Sequence, residues 1–435
     1  MTTAVKAEHL YKAFGRRPAD LVRRVKAGTD RAELVEQGTA AVIDASFEVQ
    51  TGEIFVVMGL SGSGKSTLIR MLNGLLEPTE GTVTVNGSVI SGVPAKTLRE
   101  VRRNNISMVF QHFALLPHRT VLENAAYALE IQGMPRAQRL QRAGKVVELV
   151  GLSGWEDKLP GELSGGMQQR VGLARALSAE TDILLMDEAF SALDPLIRRE
   201  MQEQLVELQS QLGKTIIFIT HDLNEAMFLG DRIAVMRDGR IVQVGTPEDI
   251  LTDPANDYVA QFVQDVDRAR VLTAASVMEP VRAVVQSAAG PRAALLSMRD
   301  LQSSAAFVVG AGRVLTGVVR DKDVMRQVKA GETSLSAVVN PNVASVTGEA
   351  PLVDLFELAV ESPLPLAVVD EKGRLIGAIP RVTLLAALGN VPPSTQTIAL
   401  IEPAGPISAQ SITEVLAETA SLPDLVHTAN DGSLS

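Results

Sequence analysis

Uninterrupted apolar runs alternate with stretches of helical periodicity over roughly the first 265 positions. Ile54–Met58 is an apolar pentad, which reads as a strand buried on both faces, and a Gly-rich turn and a helical stretch from Lys65 follow at once. The runs at 183–186 and Thr215–Thr220 read the same way. Residues 82–85, the pair Asn86-Gly87 and residues 88–90 predict a hairpin closed by a type I′ turn, and Asp238-Gly239 marks a second one. Asp194-Pro195 supplies the N-cap and first position of a helix that should stop near Gly213, and Thr246-Pro247-Glu248-Asp249 opens another. Strands and helices in alternation, joined by short turns, predict an α/β domain.

From about residue 270 the texture changes. Ala and Val rise, and an internal repeat emerges. Phe307-Val308-Val309, a turn, Arg313-Val314-Leu315 and Gly317-Val318-Val319 match Ala367-Val368-Val369, a turn, Arg374-Leu375-Ile376 and Gly377-Ala378-Ile379. Each copy reads strand, tight turn, strand, helix. After Arg381 no Lys or Arg occurs, whereas Glu402, Glu414, Glu418, Asp424 and Asp431 do, so the tail is anionic and expected to be loosely ordered. The expected domains are 1–268, 269–389 and a flexible tail at 390–435.

Composition narrows the function classes. At 435 residues the chain is too long for one core, which agrees with several domains. No window reaches the ~18–20 apolar residues of a membrane-spanning helix, and residues 1–11 lack the apolar core of a signal peptide. The expectation is a cytoplasmic protein that borrows any membrane role from a partner. With no cysteine, disulfides, thiolate metal sites and Cys nucleophiles are excluded. A net charge of −10 argues against nucleic acid as a general partner.

Gly59-Leu60-Ser61-Gly62-Ser63-Gly64-Lys65-Ser66, with Thr67 behind it, fits the phosphate-binding P-loop, set between a strand and a helix. Its glycines let backbone N–H groups face a phosphate at the positive end of the helix. Lys65 can reach the β- and γ-phosphates, and the Ser66 hydroxyl can ligate Mg²⁺. The run 183–186 delivers Asp187 to a strand end, where it can hold the metal, and Glu188 next to it can polarise an attacking water. Two acids after a strand are by themselves commonly a solvated loop; behind a P-loop, the catalytic reading prevails. Leu163-Ser164-Gly165-Gly166-Met167-Gln168-Gln169-Arg170 then opens a helix with an inner face through Val171, Ala174 and Leu177, a second anion-binding helix start.

These residues resemble the ABC ATPase family, whose signature motif is LSGGQ; here it reads LSGGMQ. The resemblance spans residues 1 to about 265. It implies an ABC-type P-loop nucleotide-binding domain with a RecA-like core, an antiparallel β subdomain and a helical subdomain. It also implies that Ser164, Gly165, Gly166 and Gln168 clamp ATP held by the P-loop (Gly59, Ser61, Gly62, Ser63, Gly64, Lys65, Ser66 and Thr67) of a second copy. Gln111, in Val109-Phe110-Gln111, resembles the Q-loop glutamine that touches Mg²⁺ and the attacking water. Ser191-Ala192-Leu193-Asp194 resembles the D-loop, and His221 the switch histidine. A lone histidine is usually structural, but the strand Thr215–Thr220 before it favours the catalytic role. Phe14 stands where the family stacks an aromatic on adenine, with Tyr11 as the fallback.

More narrowly, Met186-Asp187-Glu188-Ala189-Phe190-Ser191 and the residues that follow are similar to ATP-binding subunits of bacterial and archaeal glycine betaine/proline importers. The C-terminal repeat resembles a pair of CBS motifs, an α+β regulatory module. In the adenosine-binding positions of such pairs this chain has Asp323 and Arg320 in one copy, and Pro380 and Thr383 in the other. The implied partners are a second copy, transmembrane permease subunits and, indirectly, a solute-binding protein, at the inner face of the plasma membrane. Importers of an amino acid or another quaternary amine, and a non-transport ABC ATPase, are the alternatives. One stretch departs from the family: at about 16–39, Arg16, Arg17, Arg23, Arg24, Lys26 and Arg31 sit among Leu21, Val25 and Leu34. It reads as a solvated amphipathic helix, or as a contact for lipid head groups or membrane subunits.

Overall fold

The structure, a computed structural model, describes residues 2–111, 114–191, 193–264 and 266–388. The anionic tail expected at 390–435 lies outside the described residues, as does Ala192 of the D-loop stretch. The chain divides into two compact units between Val266 and Asp267.

In the first unit, β1 (Thr3–Gly15) and β2 (Gly38–Gln50) pair antiparallel, and β4 (Glu80–Val85) and β5 (Ser88–Val89) complete a sheet of order β2-β1-β4-β5, with β3 (Ile54–Met58) belonging elsewhere. Asn86 and Gly87, both at positive φ (44° and 76°), make the turn between β4 and β5 that their identities predict. The main sheet gathers β3, β6 (Ile106–Val109), β7 (Ile183–Asp187), β8 (Thr215–Thr220), β9 (Arg232–Arg237) and β10 (Arg240–Gly245) in the order β10-β9-β3-β8-β7-β6. All but β10 run parallel. Every residue of β3, β7 and β8 is buried, which is why these strands read as continuous apolar runs. Asp194 caps the helix Pro195–Leu212 through the Ile197 N–H, and Gly213 ends it in the left-handed conformation (φ 61°).

Register aligns the strand ends. Met58 pairs with Thr220, and Asp187 with Ile219, so the residues leaving β3, β7 and β8 emerge on one sheet edge. That is the carboxyl edge, where open α/β sheets bind ligands.

The second unit repeats one fold. Its strands β11 (Val284–Gln286), β12 (Ala305–Val309) and β13 (Leu315–Arg320) form one sheet, and β14 (Ser345–Thr347), β15 (Leu366–Val369) and β16 (Leu375–Ile379) another, each in sequence order. In both, the first pair is parallel and the second antiparallel with a shift at the same place. Each copy also has a helix the sequence reading omitted, Pro291–Asp300 and Leu352–Glu361. The register corrects the alignment in one respect. Leu315 corresponds to Leu375, so Arg313 matches Gly373 rather than Arg374. Both of these residues hold positive φ (64° and 72°), because the turn demands it there. The shared Arg in the two copies misled the reading.

Phe218 in β8 is fully buried and its ring lies 5.4 Å from that of Phe190. Phe218→Ala should cost about 3–5 kcal/mol, read as an early loss of the first unit in denaturant unfolding of the full chain.

Candidate active site

β3 ends at Met58 and the chain curls from Gly59 to Gly64 before the helix Lys65–Leu72. Space explains two of the glycines. A Cβ on Gly59 would lie 2.1 Å from the Met236 carbonyl oxygen, and one on Gly64 would lie 2.2 Å from that of Ala41. Lys65 begins the helix and folds back, its Nζ donating to the carbonyls of Gly59 (2.8 Å) and Leu60 (3.1 Å). The Lys65 side chain is only 4% exposed, and its ammonium lies 3.8 Å from Glu188 Oε1. Burial pushes its pKa down, against the opposing pull of Glu188 and Asp187.

The other chemistry-bearing residues converge on this curl. Ser66 donates its hydroxyl to Asp187 Oδ1 at 3.0 Å. Burial raises the Asp187 pKa, and the Ser66 hydrogen bond counters it. Glu188 lies at the hub. Gln111 Nε2 donates to its Oε2 at 3.3 Å, and His221 Nδ1 lies 3.2 Å from the same oxygen. Its backbone holds φ 46°, uncommon for a non-glycine residue, and is fastened there by its N–H donating to the Ile219 carbonyl (3.0 Å). Lys65, Ser66, Gln111, Asp187, Glu188 and His221 thus form one cluster. Ser61 and Gly62 are exposed at its rim, Thr67 is half-buried on the helix, and Ser63 is buried with no partner for its hydroxyl among the described residues.

Phe14, near the end of β1, is 43% exposed with Lys12 Nζ 5.4 Å from its ring centre. The fallback Tyr11 is buried, with Lys26 Nζ 4.6 Å from its ring centre, so Phe14 is the exposed one of the two. The signature helix Gly165–Ser178 starts at Ser164, whose hydroxyl accepts from the Met167 N–H. Ser164 and Gly165 are exposed, and among the described residues none of Ser164, Gly165 and Gly166 hydrogen-bonds to the Lys65–Glu188 cluster. Gln168 turns inward, its amide donating to the carbonyls of Pro160 (3.0 Å) and Leu163 (3.3 Å), so it braces the loop before the helix.

One residue escaped the sequence reading. Arg198 Nη2 donates to the Leu193 carbonyl (3.0 Å) and the Ser191 carbonyl (3.5 Å), and its Nη1 to Asp222 Oδ2 (3.3 Å). It ties the stretch after Glu188 to the residue after His221. An arginine in a helix's first turns reads as solvated, and its partners are carbonyls that a sequence pattern does not show.

The ABC transporter model matches residues 42–191, and the CBS domain model residues 335–390. Over 386 residues the chain is 49% identical to the glycine betaine transport ATP-binding protein OpuAA of Bacillus subtilis, covering 88% of this chain and 92% of that one. The chain belongs to the ATP-binding proteins of ABC transporters. It is 44% identical to the glycine betaine/proline betaine transport system ATP-binding protein ProV of Salmonella typhimurium, over 89% of this chain and 98% of ProV. It is 51% identical to the trimethylamine N-oxide transport system ATP-binding protein TmoW of Ruegeria pomeroyi, over 62% of this chain and 80% of TmoW. This ABC protein is a transport ATPase subunit that binds nucleotide. Among the described residues no helix is long and apolar enough to cross a membrane. The first C-terminal repeat lies outside the CBS match, yet has the strand order and register of the second.

Arg198→Ala should lower ATP turnover about tenfold while leaving ATP binding within about twofold, because it ties the loops beside Glu188 and His221 rather than the Gly59–Gly64 curl. Steady-state hydrolysis and equilibrium ATP binding, measured together, check this.

Proposed function

We propose that this ATPase powers import of glycine betaine or a closely related compatible solute through partner permease subunits, at the inner face of a bacterial or archaeal plasma membrane. The observation that carries the reading is similarity along nearly the whole length of OpuAA and ProV, C-terminal repeat included. TmoW supports the second reading, another small quaternary or tertiary amine compound, since it is as similar over the shorter span.

In the working unit two copies pair head to tail, each P-loop facing the Ser164–Gly166 helix start of the other copy. Gly59, Ser61, Gly62, Ser63 and Gly64 cradle the phosphates, Lys65 neutralises them, Thr67 follows on the helix, and Phe14 stacks on adenine. The Ser66 hydroxyl and the Asp187 carboxylate, with Gln111, are oxygen donors of the kind Mg²⁺ takes alongside substrate phosphates, and the ion would neutralise charge there. Glu188 accepts a proton from the attacking water, and Gln111 and His221 orient its carboxylate. Gln168 keeps the signature loop in shape. ATP closes the pair because it touches both faces only in the closed state, and hydrolysis releases it.

Glu188→Gln should retain ATP binding and lose turnover by at least a hundredfold, yielding an ATP-dependent dimer on size-exclusion chromatography. Lys65→Ala should lose ATP affinity itself. Uptake of labelled glycine betaine by cells carrying the complete transporter, at low and high osmolality, tests the solute. Osmotically stimulated uptake that vanishes in Glu188→Gln is the expected result; no uptake beside intact ATPase activity in the complex would discard the betaine reading.

The C-terminal repeat and anionic tail sense ionic strength or a nucleotide, against a charged membrane or neighbour; salt screens contacts between exposed charges beyond about 8–10 Å. Truncation after about residue 270 should abolish the salt response of transport; an unchanged response would remove this role.

A further inference from the structure

The stretch between β1 and β2 is a closed excursion of residues 16–37. At its neck Gly15 pairs with Gly38, and a Cβ on Gly38 would lie 2.1 Å from the Phe14 carbonyl oxygen. Beyond the neck, the helix Pro18–Lys26 buries Leu21, Val22 and Val25 with Leu34 against Tyr11, Ala13, Ala40 and Ile43 of β1 and β2. The amphipathic helix expected from the sequence is present, and its apolar face belongs to the fold.

Its basic residues are not equivalent. Arg23 is exposed and pairs with Asp20 in its own helix. Arg31 begins a 3-10 turn, Arg31–Leu34, which Asp30 caps by accepting from the Ala32 N–H (2.8 Å). From there Arg31 Nη2 donates to the carbonyl of Gly62 in the P-loop at 3.3 Å, and its Nη1 lies 3.7 Å from Asp238 Oδ1. The next P-loop carbonyl, that of Ser63, accepts from the Gly239 N–H at 3.0 Å, and the Gly239 carbonyl accepts from Ile43 of β2 at 2.7 Å. Peptide units are planar, so holding the carbonyls of Gly62 and Ser63 fixes the planes that carry the N–H groups of Ser63 and Gly64. Gly62 sits at φ 78°, and a Cβ there would meet nothing within 4 Å. Side-chain packing does not restrain this most flexible of residues; its peptide with Ser63 is held by the Ser63 N–H donating to the Leu60 carbonyl (3.2 Å) on one side and by Arg31 on the other.

We propose that the excursion is a clamp on the nucleotide site, and that Arg31 is a positioning residue that holds the P-loop in its phosphate-ready curl. The clamp spans from the Phe14 end of β1 to Gly62. It rests on the reading of Gly59–Ser66 as the ATP site. Preorganisation of this kind acts on affinity rather than on the bond-breaking step.

The test uses the full chain, with a fluorescent ATP analogue in Mg²⁺ for binding, steady-state ATPase kinetics, and melting without nucleotide to verify folding. Arg31→Ala should raise both Kd and KM about five- to tenfold with kcat within twofold. Arg31→Met keeps the aliphatic stem, so it carries the test should the alanine variant melt early, and it should show the same rise. Arg31→Lys should recover part of the affinity, and Arg23→Ala, which removes the same charge, should bind as wild type does. Wild-type affinity in both Arg31→Ala and Arg31→Met, or an equal loss in Arg23→Ala, would overturn the clamp. Analogue binding unchanged by Lys65→Ala would instead overturn the P-loop assignment on which the clamp rests.

Discussion

Burying an ammonium group is costly unless its protons are satisfied and its charge is answered. Lys65 meets that condition in one way only. Its Nζ takes the carbonyls of Gly59 and Leu60, which requires the chain to curl back over it, and it keeps Glu188 at 3.8 Å. The curl in turn requires glycine at 59 and 64, where the backbone passes against Met236 and Ala41. The acid requires β7 to end level with β3, which the intervening β8 secures by pairing with both. Loop shape, strand register and the cluster around Glu188 thus meet at one buried charge.

Several loops of the first unit are held by carbonyl contacts as well as by apolar packing. Arg198 holds the carbonyls of Ser191 and Leu193, Gln168 those of Pro160 and Leu163, and Arg31 that of Gly62. Each brings a long polar side chain to a loop and fixes the direction of its backbone. Hydrogen bonds of this kind are individually modest, about 1 kcal/mol and more when charged, and they can be remade when the loops move.

The second unit relies on repetition instead. Both copies cover a three-stranded sheet with helices, and β12 buries Ala306 and Val308 where β15 buries Leu366 and Val368. The apolar strands of this repeat were legible because they alternate little and end in turns. The short strands β11 and β14, of three residues each, were not, since three residues carry no period that could be told from loop.

What the sequence determined by itself was local structure and the residue types placed at the strand ends. The P-loop, the acids after β7, the histidine after β8, the caps at Asp194 and Thr246 and the two turns at Asn86 and Asp238 are all short-range, set by residue types at fixed spacing. The family followed from them. What tertiary structure decided was every contact across the chain: which aromatic near β1 stayed exposed, which carbonyls the Gln168 amide reached, and which arginine of the basic excursion reached the P-loop. The reason is physical. A side chain's partner here is often a backbone carbonyl, which every residue possesses, so only the folded path of the chain selects which carbonyl lies within reach.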